Sequence, residues 1–214
     1  MRCLFLASGH GGDYFAIEKA RHAGVLDVES ISVASTSETS PCLKDAAQKG
    51  YWTEHFSLTK EERRNKLGEK LLDVFYRIDF DICFLAGFRY IVPFPVIEKY
   101  SRKIVNSHHS ILPANPGLFI KEDLVQSDNK LLGATVHYVD AGIDTGEIIC
   151  QAAFPNYGME NFTTILAKYR FVQDVLAVYS VLHLTGANIT DETNHVFDDI
   201  IFSPAVPTST LNIF

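Results

Sequence analysis

Short runs of wholly apolar residues, each about one strand long, alternate with longer amphipathic stretches through the first half of the chain. That alternation is the strongest constraint on the fold, because a strand apolar on both faces must be covered on both, and helices supply the cover. Cys3 to Ala7 (CLFLA) is the first such run, followed by Gly9, Gly11 and Gly12. A helix is expected from Asp13, with Phe15, Ile17, Ala20 and Ala23 on one side and Gly24 as its stop. Ser30 to Ser35 (SISVAS) predicts a strand and Pro41 to about Lys49 a helix. Thr59 to Tyr76 reads as one long charged helix whose apolar stripe is Leu67, Leu71, Leu72, Phe75 and Tyr76.

Ile82 to Ala86 (ICFLA) and Lys103 to Asn106 (KIVN) predict two further buried strands. After Gly133 the period changes to two: ATVHYV and EIICQAAF alternate on either side of AGIDTG, the pattern of an antiparallel hairpin. From Asn161 to Leu184, Phe162, Ile165, Leu166, Tyr169, Val172, Leu176 and Tyr179 recur at spacings of three and four, so one long amphipathic helix closes the domain. A strand is expected between His195 and Phe202, and no regular structure through the proline-rich SPAVPTST. The expected class is therefore α/β, a Rossmann-like, mostly parallel sheet with helices on both faces and an antiparallel extension in its second half.

Composition narrows the function classes. With 19 Lys and Arg against 26 Asp and Glu, the formal charge is −7, which argues against a general phosphate-backbone binder, so no nucleic-acid partner is expected. The 47% hydrophobic content over 214 residues suits one ordinary globular domain. The apolar stretch in MRCLFLASGHGGDYF is too short for a signal-peptide core or a membrane span, so a cytoplasmic protein is expected. Cys3, Cys42, Cys83 and Cys150 form no C-x-x-C pair and read as buried, reduced thiols.

Ligands of an open parallel sheet bind beyond the carboxyl ends of its strands, which directs attention to the residues after Ala7, Ala86 and Val105. Asn106 and His108 lie two apart along extended chain, hence on one face, and offer an amide donor and a ring N–H that together can hold a developing oxyanion. An isolated N-x-H is more often a turn satisfying its own backbone. Asp144, in the loop between the two alternating strands, changes this, since a carboxylate beside His108 supplies acid–base equipment. Asp144 alone reads as an ordinary D-x-G turn residue. Ser8 to Asp13 fits an anion-receiving turn before a helix, and equally a plain tight turn; it is neither G-x-G-x-x-G nor a P-loop. A metal site from His108, His109, His137 and Asp144 is not expected, because adjacent histidines on extended chain point apart. No G-x-S-x-G nucleophile motif is present.

Four segments in order, LASGHGGDYFAI (Leu6 to Ile17), LAGFRYI (Leu85 to Ile91), NSHHSILPANPGL (Asn106 to Leu118) and GATVHYVDAGIDTGEIICQ (Gly133 to Gln151), resemble the folate-dependent formyltransferases. The resemblance runs through nearly the whole chain and is strongest to the branch that formylates glycinamide ribonucleotide in purine synthesis. It implies 10-formyltetrahydrofolate as formyl donor, no metal, and Asn106, His108 and Asp144 as the catalytic set. It implies further that the pterin lies against Leu85, Phe88, Arg89, Tyr90, Ile91 and Val92 and against the loop of Val139, Asp140 and Ala141, with Arg64 meeting the folate tail. The acceptor and its phosphate would be held by Gly11, Gly12, Asp13, Gly87, Ser107, His109 and Asp174.

The resemblance also divides the single expected domain, 1–214, into a nucleotide-binding-like half, 1–107, and a half with the folate-binding and catalytic residues and the closing helix, 108–214. Departures from the family pattern fall mainly on the acceptor side: Gly11-Gly12-Asp13 replaces G-S-N, Ser107 an aliphatic, His109 a small residue or proline, and Asp174 a glutamate. Arg89-Tyr90-Ile91 stands for M-R-I on the folate side. Another amine acceptor, such as a nucleotide-linked amino sugar, and a folate- or nucleotide-binding module without catalysis remain as alternatives. The methionyl-tRNA version and the folate hydrolases carry extra domains for which no room is expected here.

Overall fold

The computed structural model describes residues 1–117, 129–158, 161–186 and 192–214. Leu118, the last residue of the third segment above, lies outside them. The elements are β1 (Arg2–Ala7), α1 (Gly12–His22), β2 (Ser30–Ser35), α2 (Pro41–Gln48), β3 (Trp52–His55), α3 (Lys60–Asn65), α4 (Leu67–Arg77), β4 (Ile82–Leu85), α5 (Phe94–Lys99), β5 (Ile104–His108), β6 (Leu131–Tyr138), β7 (Ile148–Pro155), α6 (Phe162–Leu184), β8 (Thr193–Phe197), β9 (Ile200–Pro207) and α7 (Thr208–Leu211). One nine-stranded sheet runs in the order β3-β2-β1-β4-β5-β6-β7-β9-β8. The pairs among β3, β2, β1, β4 and β5 are parallel, and those from β5 to β8 are antiparallel. The α/β class, with its antiparallel extension, is the one expected from the alternation.

Each face of the sheet carries its own core. On one side Phe5, Phe84 and Val105 pack with Tyr14 and Ile17 of α1 and with Tyr169, Val172 and Leu176 of α6. On the other, Leu4, Leu6, Cys83 and Leu85 pack with Leu71, Val74 and Phe75 of α4 and with Val96 of α5. Alternate residues of β1 thus serve opposite layers, which is why the strand is apolar throughout. The four cysteines are free and buried. None of the helices among the described residues is long and apolar enough to cross a membrane.

Three expectations need correction. The helix expected from Thr59 to Tyr76 is two helices. Thr59 opens α3 with a capping box to Glu62, and Lys66 leaves helical geometry at φ −127° before α4 begins. The break resets the buried stripe to Leu67, Leu71, Val74 and Phe75, and leaves Tyr76 84% exposed. In α1 the buried aromatic is Tyr14, whose hydroxyl donates to Asp45 at 2.6 Å, whereas Phe15 is half-buried and Ala23 exposed.

The single strand expected from His195 to Phe202 is two, β8 and β9, which meet around Asp198 at φ +53°, and β9 continues through Pro204 to Pro207, where no regular structure was expected. Pro204 is tolerated because the β8–β9 register shifts between Asn194 and Val196, so its missing donor falls at an irregularity in the ladder. Strand β3 had no expectation attached, since WTEH has no apolar run and lies at the sheet's edge.

The α4 register has a direct test. Val74→Ala is expected to lower the unfolding free energy by about 1–3 kcal/mol, and Tyr76→Ala to change it by less than about 0.5 kcal/mol. Urea denaturation of both variants reports the difference, and equal losses would restore the continuous helix.

Candidate active site

A cleft of about 660 Å³ opens where β1, β4 and β5 end. It lies at the point where the chain has moved outward to β2 on one side of β1 and returned to β4 on the other, the place an open sheet leaves for a ligand. Its first wall is the Ser8-to-Gly12 loop. Gly11 sits at φ +81°, and a Cβ there would lie 2.6 Å from the Cβ of Cys42, so no larger residue fits. Ser40 Oγ donates to the Gly9 carbonyl at 2.7 Å, and Ser8 Oγ accepts from Thr36 Oγ1 at 2.9 Å and from the Arg89 N–H at 3.2 Å. The loop is therefore tied to both neighbouring strand ends.

The second wall is β5 and its antiparallel partner. β5 extends two residues beyond the expected end, so Asn106, Ser107 and His108 are strand residues with alternating faces. Asn106 and His108 face the β6–β7 loop, and Ser107 faces α1, where its Oγ donates to Asp13 Oδ1 at 2.6 Å. Register places His137 of β6 directly opposite Asn106, hence on the same face.

Asp144 comes to this point on the β6–β7 loop. The loop is shaped by Asp140, which accepts from the Gly142 N–H at 3.0 Å and from Thr145 Oγ1 at 2.7 Å. A Cβ on Gly146 would lie 2.8 Å from the Tyr138 carbonyl carbon, so the chain crosses β6 too closely for any side chain. Asp144 itself adopts φ +52°, a left-handed conformation that Asp tolerates better than most residues.

The Asp144 carboxylate gathers its neighbours. Oδ2 accepts from the Gly117 N–H at 2.7 Å and lies 3.3 Å from His108 Nδ1. Oδ1 accepts from Asn106 Nδ2 at 3.4 Å and lies 3.5 Å from His137 Nε2. The other His108 nitrogen, Nε2, is 2.8 Å from the Asn115 carbonyl. Both ring nitrogens of His108 thus face acceptors, and a ring protonated on both satisfies both.

His137 behaves differently. Burial first, and the neighbouring His108 charge after it, hold its pKa below the ordinary value, against the opposing pull of the Tyr138 carbonyl and Asp144. The neutral ring donates from Nδ1 to the Tyr138 carbonyl at 2.9 Å, leaving Nε2 to accept from Asn106 Nδ2 at 3.4 Å. One amide is therefore oriented from two sides. Behind this layer Thr135 Oγ1 donates to the Ser110 carbonyl and accepts from the Leu112 N–H and Gln151 Nε2, which fixes the turn carrying Asn115.

Most residues singled out from the sequence line this cleft. On one flank are Leu85, Gly87, Phe88, Arg89, Tyr90, Ile91, Val92, Val139 and Asp140; on the other, Gly11, Gly12, Asp13, Ser107, His109 and Asp174; Asn106, His108 and Asp144 stand between them. Arg64 and Ala141 do not line it. Arg64 is exposed on α3, and it is its neighbour Arg63 that lies 5.5 Å over the Tyr90 ring. Arg170, Gln173, Ile97 and His137 also line the cleft, and the sequence pattern alone assigns none of them a role there. The period-two pattern of ATVHYV was the available signal for His137, and its partner on β5 was not readable without the register. Among the described residues no group of three His, Cys, Asp or Glu side chains is placed to hold a metal ion.

Fold and cleft together define a doubly wound α/β domain whose strand ends hold an amide, two imidazoles and a carboxylate in mutual contact. Residues 1–181 match the family model described as formyl transferase, and the chain belongs to that family. The phosphoribosylglycinamide formyltransferase of Bacillus subtilis (strain 168) is 28% identical over 149 residues, covering 69% of this chain and 75% of that protein. The trifunctional purine biosynthetic protein adenosine-3 of Drosophila pseudoobscura pseudoobscura is 37% identical over 97 residues, covering 45% of this chain; the match spans only 7% of that much longer relative. Among solved structures, phosphoribosylglycinamide formyltransferase from Bacillus halodurans superposes with a TM-score of 0.77 at 27% identity, over 89% of this chain and 98% of that one.

Asp174 gives the cleft a pH signature. Burial first, and the Asp13 charge second, push its carboxyl up to about 6 from the ordinary 3.8, against the pull of Lys19 and Arg170. Between those values the folded protein keeps a proton that the unfolded chain releases, so stability from this group is full below the lower value and lost as pH rises through the upper. Asp174→Asn is expected to gain thermal stability over the parent between about pH 5 and about pH 7.5. Melting curves at the two pH values check it, and a difference that stays constant or shrinks would contradict it.

Proposed function

We propose that this protein transfers the formyl group of 10-formyltetrahydrofolate to the primary amine of a small acceptor. The observation that carries this reading is the convergence of Asn106, His108 and Asp144 on one wall of the cleft, each within 3.4 Å of another. The relatives' names make glycinamide ribonucleotide, an intermediate of purine synthesis, the acceptor to test first. The fit to the donor rests on buried Leu85, Val92 and Ile97 with half-buried Val139, an apolar flank suited to a flat heteroaromatic ring.

In this reading the acceptor nitrogen attacks the formyl carbon, a new C–N bond forms, and negative charge collects on the formyl oxygen. Asn106 Nδ2 and a His108 ring N–H stabilise that oxygen, as fixed donors aimed at developing charge do, with Asn106 exchanging its bond to Asp144 Oδ1 for one to the formyl oxygen while it keeps the one to His137. His108 Nε2 is engaged with the Asn115 carbonyl, so donation from that nitrogen exchanges this bond for one to the formyl oxygen. His137, kept neutral, accepts from Asn106 and stops the amide from turning away. The C–N10 bond then breaks, and Asp144 relays the amine's proton through water to the departing N10. Holding both reactants in one cleft supplies much of the remaining acceleration.

His108→Ala and Asp144→Asn are each expected to reduce formyl transfer by about 10²- to 10⁴-fold while the folded far-ultraviolet spectrum is retained. Donor consumption followed by absorbance, with 10-formyl-5,8-dideazafolate and glycinamide ribonucleotide, measures it. Turnover within a factor of two of the parent in either folded variant would remove these residues from the chemistry.

A further inference from the structure

The loop that carries Asp144 stands on two feet, and one arginine outside the cleft covers both. Within the loop Asp140 accepts from the Gly142 N–H and from Thr145 Oγ1, so the segment 140–145 is cross-linked and shifts as a piece. The feet are Tyr138, whose N–H donates to the Glu147 carbonyl at 2.9 Å, and Glu147. The Arg102 guanidinium lies 4.5 Å from the centroid of the Tyr138 ring and forks onto the Glu147 carboxylate, with Nη1 donating to Oε2 and Nη2 to Oε1. Arg102 does not line the cleft. Its backbone, at φ +58°, belongs to the turn before β5, where the Lys103 N–H donates to the Tyr100 carbonyl at 3.0 Å and the Lys103 carbonyl accepts from the Cys83 N–H at 2.7 Å. Arg102 is thereby fixed to the strand that carries Asn106 and His108.

We infer that Arg102 is a positioning residue: by stacking on Tyr138 and forking onto Glu147 it ties the Asp144 loop to β5, and so keeps the carboxylate in register with Asn106 and His108. This rests on the formyl-transfer reading and adds to it a residue that touches neither reactant. The two feet need the clamp unequally. Beside Tyr138, the Val139 N–H already donates to the Ile104 carbonyl at 2.9 Å, so the outgoing limb is held by β5 itself. The returning limb, which carries Asp144, enters β7 where the β6–β7 register shifts, and Arg102 adds there a hold that the ladder lacks. The two side chains, Arg102 and Glu147, are 60% and 62% exposed, so the pair contributes little to overall stability. Its effect on the chemistry is larger in proportion, because a small misplacement of a reacting group costs rate steeply. Val139, on the limb that β5 holds, lines the donor flank, so a loosened return limb affects the chemical step before it affects donor binding.

Steady-state kinetics and amide hydrogen exchange on the full chain test this together. Arg102→Gln is expected to lower kcat about three- to tenfold, while KM for 10-formyltetrahydrofolate, with glycinamide ribonucleotide as acceptor, changes by less than about twofold. Glu147→Gln, from the other side of the pair, is expected to do the same and serves if Arg102→Gln does not fold. Exchange needs no turnover. The Gly117 N–H donates to Asp144 Oδ2, and its exchange is expected to quicken about three- to tenfold in either variant, while the Val139 N–H exchanges as in the parent. A merely stabilising role would quicken both amides or neither and leave kcat unchanged. A kcat within about a factor of two of the parent in both folded variants, a loss that falls on KM instead, or a Gly117 amide that moves no more than Val139 overturns the inference and leaves formyl transfer standing. A parent that consumes no donor defeats the formyl-transfer reading instead, and the two exchange rates then decide alone whether Arg102 holds the Asp144 loop.

Discussion

A single carboxylate organises the candidate site. Asp144 is reached by the amide of Asn106, the ring of His108, the ring of His137 and the N–H of Gly117, which come from β5, β6 and the loop after β5. None of these elements could place the set alone. The β6–β7 loop must pass close over the Tyr138 carbonyl, which Gly146 allows, and Asp144 must take a left-handed backbone, which the surrounding contacts hold. The carboxylate faces His108 Nδ1 on one oxygen and Asn106 on the other, so removing its charge would disturb the orientation of both proposed donors together.

Much of the parallel half was legible in the sequence for a physical reason: a strand buried on both faces has to be apolar at every position, and β1, β2 and β4 were read nearly to the residue. What escaped was set by tertiary context. The α3–α4 break at Lys66 leaves no glycine or proline at the kink itself, and β3 is a half-buried edge strand whose Trp52-Thr53-Glu54-His55 lacks the apolar signal. The strand through Pro204 depends on a register shift against β8 that no single-strand pattern encodes.

The site was legible in a similar way. Asn106 and His108 share a face because extended chain alternates, and this followed from spacing alone. Their meeting with Asp144 had to be supposed at the sequence level, because the distance between residues 108 and 144 in the fold depends on the β5–β6–β7 register. His137 went unassigned for the same reason. Arg64 was placed at the folate tail by resemblance, whereas the α3 geometry turns its neighbour Arg63 toward Tyr90. The acceptor flank is where sequence and fold speak together, since Asp13 stands out in the glycine loop and the structure buries it beside Ser107.

The central claim is that His108 and Asp144 are coupled, the carboxylate orienting the ring besides relaying the amine's proton. A double-mutant cycle on kcat/KM, with His108→Ala, Asp144→Asn and the pair combined, measures this directly. Residues that act together are strongly non-additive, so the account requires the loss in the combined variant to fall far short of the product of the two single losses. Losses that multiply, with the double variant slower by the product of the two single effects, would show that the two side chains serve the reaction independently.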